Sequence, residues 1–242
     1  MKAFDLMDPR KLFTKYGLDE RLAGEICAYC GSPPNTVDHV PSKILLDDPL
    51  PGNLPVVPAC TNCNGGFSRD EEYLACFLEC VLAGTTEADD LRRTKVQKAL
   101  RHSSALAKSI QTSARVDSDG RLVWVPDMQR VENVVLKLAR GHALYELGTP
   151  CLEPPDAISC FPLTVMTDAK REQYESGPEF RGWPEIGSRA FLRAAGIEPY
   201  ANRQGSDWVT VQDGRYRYSV EDSTRVRIVL SEYLACVIEW EG

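Results

Sequence analysis

Apolar positions recur along this chain with two different periods, and the switch between them divides it. Leu74, Phe77, Leu78 and Val81 share one helical stripe, which predicts a helix from about Asn62 or Asn64 to Leu82. Gly84 ends it and opens a polar run to Asp90. Val96, Ala99, Leu100 and Ala107 extend the helical reading across Leu91 to Arg115. Asp117-Ser118-Asp119-Gly120 then signals a turn before a short strand over Arg121 to Val125. Asp127 is placed to cap a strongly periodic helix to Leu147, with Met128, Val131, Val135, Leu138 and His142 on one side and Gly148 as its C-cap. Nearer the start, Leu12, Phe13 and Tyr16 mark a helical lead-in over residues 1–24. Thr36 to His39 and Leu54 to Pro58 read as extended, joined by a long loop through Leu50-Pro51-Gly52-Asn53.

Beyond Thr149 the period falls to two, among proline-rich turns. Ile158 to Met166, Trp208 to Val211, Arg215 to Val220, Arg225 to Leu230 and Leu234 to Trp240 read as strands. The alternation in Arg215-Tyr216-Arg217-Tyr218 and Arg225-Val226-Arg227-Ile228 fits antiparallel pairs with one buried face; arginines interleaved with tyrosines would also suit charge and stacking contacts to nucleic acid. The expected class is α+β, with helices followed by a C-terminal mixed or antiparallel β region. The expected segments are 1–24, a motif domain at 25–83, a helical region at 84–148 and a small α+β domain at 149–242.

The chemistry concentrates in the second segment. Cys27-Ala28-Tyr29-Cys30 and Cys60-Thr61-Asn62-Cys63 are two C-x-x-C pairs, and each knuckle turns two thiolates toward one point, as a tetrahedral zinc requires. Between them lie Asp38-His39, then Gly52-Asn53; Asn64 follows the last cysteine. Such a frame is suited to hold a second, catalytic ion beside a histidine base. Asn53 also suits a turn after Gly52, and Asn64 also suits a helix N-cap, a role that competes for the same oxygen. Of nine cysteines, four fit a metal and five are scattered at apolar positions, Cys76 and Cys80 on a helical stripe as small hydrophobes. That usage suggests a reducing, cytoplasmic setting.

These residues resemble the HNH endonuclease family, in its zinc-stapled ββα-metal subgroup. The resemblance covers residues 25–80 and rests on the Asp38-His39-x-x-Pro41 string and on Cys60-x-x-Cys63-Asn64. It implies a two-stranded ribbon and a helix around one divalent ion, with His39 as general base, Asn53 orienting it, and Asp38 and Asn64 on magnesium or manganese. Asn64 stands where the family usually has histidine, and its carbonyl oxygen suits magnesium. Cys27, Cys30, Cys60 and Cys63 would hold a structural zinc. The implied reaction is hydrolysis of DNA phosphodiesters to a 5′-phosphate and a 3′-hydroxyl. The alternative is a zinc module without catalysis that binds DNA or protein. The string Leu138-Ala139-Arg140-Gly141-His142 is also similar to bacterial proteins with such a domain near the N-terminus, although a core histidine is the plainer reading of His142.

Charge refines the partner. The chain carries −7 at pH 7, which argues against a general nucleic-acid binder and for targeted or gated cleavage, by a protein partner or a homodimer. Yet Arg92, Arg93, Lys95, Lys98, Arg101, Lys108 and Arg115 fall in one stretch with no acid among them. Arg92, Arg93 and Lys95, with Lys43 and Arg69 nearer the motif, are candidate phosphate contacts; a solvated helix face is the alternative. No apolar run of about eighteen residues occurs, so no membrane span is expected. The polar, early-acidic start, Met1-Lys2-Ala3-Phe4-Asp5, does not read as a secretion signal.

Overall fold

The computed structural model describes residues 26–52, 54–176, 188–196, 208–221 and 225–240. The lead-in predicted over residues 1–24, and Asn53, lie outside them. The described chain is mixed α+β, with helices and a C-terminal antiparallel sheet. Its residues fall into two units: the described stretches up to Gly65 and from Val135 onward form one, and Gly66–Val134 the other. The polar Gly84–Asp90 run lies inside the second unit, whose last residue, Val134, falls within a continuous helix over Met128–Leu147.

In the first unit, β1 (Thr36–His39) and β2 (Val56–Ala59) form an antiparallel ribbon, with Asp38 opposite Val57 and His39 opposite Val56. The helix α1 (Thr61–Gly66) follows directly. The long helix predicted over residues 62–82 is instead two, because Gly65 and Gly66 sit where α1 ends; α2 (Ser68–Ala83) begins after Phe67.

The second unit is built on α2, α3 (Thr94–His102) and α4 (Ser104–Ser113), so the basic stretch is also two helices. Ser103 separates them, its hydroxyl accepting the Leu106 N–H at 3.2 Å as an N-cap. Tyr73, Cys76, Phe77 and Cys80 from α2 pack with Leu91, Val96, Leu100, Leu106 and Ile110. The two cysteines are core residues, their thiols pushed up to about 12 by burial. Gly84 closes α2 in the left-handed region at φ 68°. The hairpin β3 (Ala114–Val116) and β4 (Leu122–Trp124) forms around the predicted turn, where Asp117 accepts the N–H groups of Asp119 and Arg121 at 2.9 Å each.

Helix α5 (Met128–Leu147) spans the boundary between the units, and Gly148 caps it at φ 75°. In the first unit, β5 (Ala157–Pro162), β6 (Val209–Gln212), β7 (Tyr216–Glu221), β8 (Arg225–Leu230) and β9 (Leu234–Glu239) make one antiparallel sheet in the order β5-β9-β8-β7-β6. The expectation of one buried face is corrected at β8. Val226, Ile228 and Leu230 are buried on one face, and Arg227 and Val229 on the other. Arg227 tolerates this because it donates to the Tyr174 and Ser176 carbonyls and pairs with Glu221 at 2.7 Å. Tyr216 and Tyr218 point into the core, and Arg217 is held bidentately by Glu175 at 2.7 Å, so this alternation serves the sheet. Two short helices went unpredicted, α6 (Asp168–Glu175) and α7 (Arg189–Ala194), although Thr167 and Ser188 cap their starts. No helix among the described residues is long and apolar enough to cross a membrane.

Candidate metal centre

The first knuckle turns at Gly31, whose φ of 72° is a backbone conformation that calls for glycine. The Cys27 N–H bonds the Ser32 carbonyl at 2.7 Å, and the Ala28 N–H bonds the Pro58 carbonyl at 2.9 Å, fastening the knuckle to β2. The second knuckle is the start of α1, capped from a distance: Asn35 Oδ1 accepts from the Thr61 N–H at 2.8 Å and its hydroxyl at 2.9 Å. The two turns bring the sulfurs of Cys27, Cys30, Cys60 and Cys63 within 4.8 Å of one another. Cys30 and Cys60 are 3.8 Å apart, close to the edge of roughly 3.8 Å that a tetrahedron with Zn–S bonds of about 2.3 Å demands. Four soft thiolates at this spacing can hold a metal ion such as zinc. As free thiols they are uneven. Hydrogen bonding to Ser32 lowers Cys30 to about 6, whereas burial pushes Cys27 and Cys63 up. A metal ion on these four sulfurs would displace the protons of those still held as thiols.

The ribbon presents Asp38 and His39 from consecutive positions on opposite faces of β1. His39 is half-buried with its Nδ1 on the inner side. Strand alternation puts Thr36 and Asp38 on one face, and Asn64 reaches that face from α1. Its Nδ2 donates to the Val37 carbonyl at 3.1 Å and to Thr36 Oγ1 at 3.3 Å. Asn64 lies inside α1 and is not its cap; Asn35 does the capping that sequence had offered to Asn64. With Nδ2 committed to β1, the carbonyl oxygen of Asn64 is the amide atom left for a hard cation.

Asp38 is more enclosed than a surface ligand. Its Oδ2 lies 2.7 Å from Lys137 Nζ and accepts the Tyr29 hydroxyl at 2.9 Å. The Lys137 ammonium, with 1% of its side chain exposed, also donates to Ser42 Oγ at 2.9 Å and sits 5.6 Å from the centre of the Tyr29 ring. Both contacts of Asp38 fall on Oδ2, and Oδ1 carries neither. Asp38 Oδ1 and Asn64 Oδ1 are hard oxygens of the kind that magnesium takes while keeping most of its waters.

Lys137 arrives on α5, which docks closely on the frame. At Gly141 a Cβ would stand 2.6 Å from Val40 Cγ2, and Arg140 donates to the carbonyls of Tyr29, Leu152 and Glu153 at 3.2, 2.8 and 3.1 Å. Sequence reading missed Tyr29, Ser42 and Lys137. The available signal was that Lys137 lies among Val134, Val135, Leu138 and Ala139, too apolar a surround for an unpaired lysine. Farther along α5, His142 is the core histidine expected. It is fully buried, stacked on Tyr218 at 3.6 Å and bonded through Nε2 to the Tyr216 hydroxyl at 2.8 Å.

The candidate phosphate contacts differ in setting. Lys43 is exposed in a short 3-10 turn, Lys43–Leu45, of the first unit. Arg69, Arg92, Arg93 and Lys95 belong to the second. Arg69 and Arg92 are exposed and Lys95 is half-buried. Arg93 is only 7% exposed, which corrects its placement on an outer basic side. Glu79 draws that segment inward, its Oε1 accepting the N–H groups of Arg92 and Arg93 at 3.2 and 3.1 Å. No family model matches the chain, and neither a curated protein nor a solved structure does.

Proposed function

We propose that this chain is a zinc-stapled endonuclease of the HNH type, hydrolysing DNA phosphodiesters with His39 as general base. The observation that carries the reading is the convergence on one short ribbon and helix. Four metal-competent cysteines hold the frame, His39 ends β1, and Asn64 on α1 shares the Asp38 face. In this reading a structural zinc sits on the four thiolates. Asp38 and Asn64 offer their Oδ1 atoms to magnesium or manganese, which when bound supplies positive charge against the phosphate oxygens. The protein's own residues do the rest. His39 keeps its Nδ1 on the inner side, and its Nε2 accepts a proton from water near neutral pH. Asn53, outside the described residues, keeps its proposed role of orienting that ring. Lys43, Arg69, Arg92 and Lys95 supply phosphate contacts, and Arg93 is dropped from that set. DNA is the partner proposed, with cleavage of one strand per site; a homodimer or a gating protein would account for double-strand cutting and for the acidic net charge.

The second reading, a zinc module that binds without cutting, draws on the enclosure of Asp38 with Lys137, which suits a structural ion pair. Nicking of supercoiled plasmid with magnesium or manganese separates the two. The nuclease reading expects metal-dependent nicking that His39→Ala abolishes while zinc content stays intact. Nicking that persists in His39→Ala, or none from either zinc-loaded protein on any DNA form, sinks it.

A further inference from the structure

The ammonium of Lys137 is too deeply buried to touch a nucleic acid, yet it lies against the one carboxylate that the nuclease reading gives to a cation. We propose that Lys137 is a positioning residue for that cation site: it holds Asp38 by Oδ2, presents Oδ1 to the ion, and cancels the carboxylate's charge, so that the site takes up its divalent ion weakly when DNA is absent. The proposal rests on the nuclease reading.

Three features of the geometry support it. The ammonium is fixed from three sides, by Asp38 Oδ2 at 2.7 Å, Ser42 Oγ at 2.9 Å and the Tyr29 ring, so it has little freedom to follow a rotating carboxylate. The Tyr29 hydroxyl donates to the same Oδ2, and Tyr29 lies between the ligands Cys27 and Cys30 of the first knuckle. The zinc frame and α5 therefore grip one oxygen of Asp38 from two directions, and bidentate coordination by this carboxylate is blocked. Finally, the Lys137 ammonium offsets the charge of the Asp38 carboxylate. A divalent ion approaching Asp38 and the neutral amide of Asn64 meets a buried cation within one carboxylate's width, and the repulsion offsets the attraction. The phosphate of a bound DNA strand adds the missing negative charge, which makes cation and DNA uptake mutually reinforcing.

The test is Mn2+ binding to the zinc-loaded protein without DNA, read from the electron paramagnetic resonance signal of the free ion. The proteins are wild type, Lys137→Met, Lys137→Gln, Asp38→Asn and the double variant Asp38→Asn/Lys137→Gln. Zinc content and the far-ultraviolet dichroism spectrum report the fold. Lys137→Gln keeps a donor toward Asp38 and Ser42, so it decides the matter if Lys137→Met does not fold. The expected result is a gain of about tenfold in Mn2+ affinity on removing the ammonium, lost again in the double variant. Equal affinity of wild type and Lys137→Gln, with Asp38→Asn still weaker, overturns the role of Lys137 and leaves the nuclease reading standing. Binding that ignores Asp38→Asn, or no Mn2+ uptake by any of the five proteins, overturns both.

Discussion

Replacing Asp38 by asparagine removes the carboxylate that pairs with the buried Lys137 ammonium. Lys137 is 1% and Asp38 11% exposed at the side chain, with 2.7 Å between the charged atoms. At an effective dielectric near 20 the gross attraction is on the order of 6 kcal/mol. Most of that repays the cost of taking both charges out of water, so the pair adds little over two well-packed apolar groups. Breaking it from one side is different, because the desolvation cost remains and the compensation goes. Asp38→Asn is expected to destabilise the first unit by about 3 kcal/mol. Lys137→Met costs less, about 2 kcal/mol, because Asp38 retains the Tyr29 hydroxyl. The double variant recovers part of the loss, giving a coupling of about 2 kcal/mol. Hydrogen exchange of the Val40 amide, which bonds the Pro55 carbonyl at 2.9 Å beside the pair, reads this locally. Its protection should fall roughly 150-fold in Asp38→Asn. Protection within threefold of wild type in that variant, or single-variant effects that simply add, would refute the assignment of a buried, mutually compensating pair.

Two further outcomes bear on the frame and the core. Cys60→Ser should abolish stoichiometric zinc, and with it the ordered ribbon, since structural zinc contributes roughly 10–16 kcal/mol of binding free energy to small frames. Metal analysis and far-ultraviolet dichroism check this, and full zinc retention would exclude Cys60 as a ligand. Burial holds the pKa of His142 well below the usual histidine value, so the folded state keeps this ring neutral while the unfolded chain takes a proton near pH 6.5. The stability tied to that neutral ring is therefore complete above about pH 6.5 and is lost below it at up to about 1.4 kcal/mol per pH unit. His142→Gln should flatten the fall in stability between about pH 6.5 and 5.5 relative to wild type, as measured by urea unfolding; an unchanged slope would refute the buried, neutral assignment.

What could be read in advance shares a physical origin, which is interaction between near neighbours in the chain. The C-x-x-C spacing closes each knuckle by local turn geometry, and the cluster follows once a ribbon brings the knuckles together. Five strands of the C-terminal sheet were legible from alternation, and the Asp117–Gly120 turn and the Gly84 and Gly148 caps from their own conformational preferences. Misreadings arose where local signals compete. Gly65 and Gly66 interrupt an otherwise continuous helical stripe, and Thr167 and Ser188 caps were submerged in proline-rich texture.

The tertiary structure decided matters that depend on a distant partner. A lysine on α5 and a hydroxyl inside the first knuckle both engage Oδ2 of Asp38. Arg93 turns inward and Arg92 stays out, on a segment whose two N–H groups Glu79 accepts. Asn35 takes the capping role at Thr61, which releases Asn64 to reach β1. Chain sequence by itself determined the four-cysteine frame and the alternating strands, because backbone propensity and side-chain period act over a few residues. The surroundings of each candidate residue came only with folding, because a buried charge acquires its meaning from whichever group the packed chain brings to neutralise it.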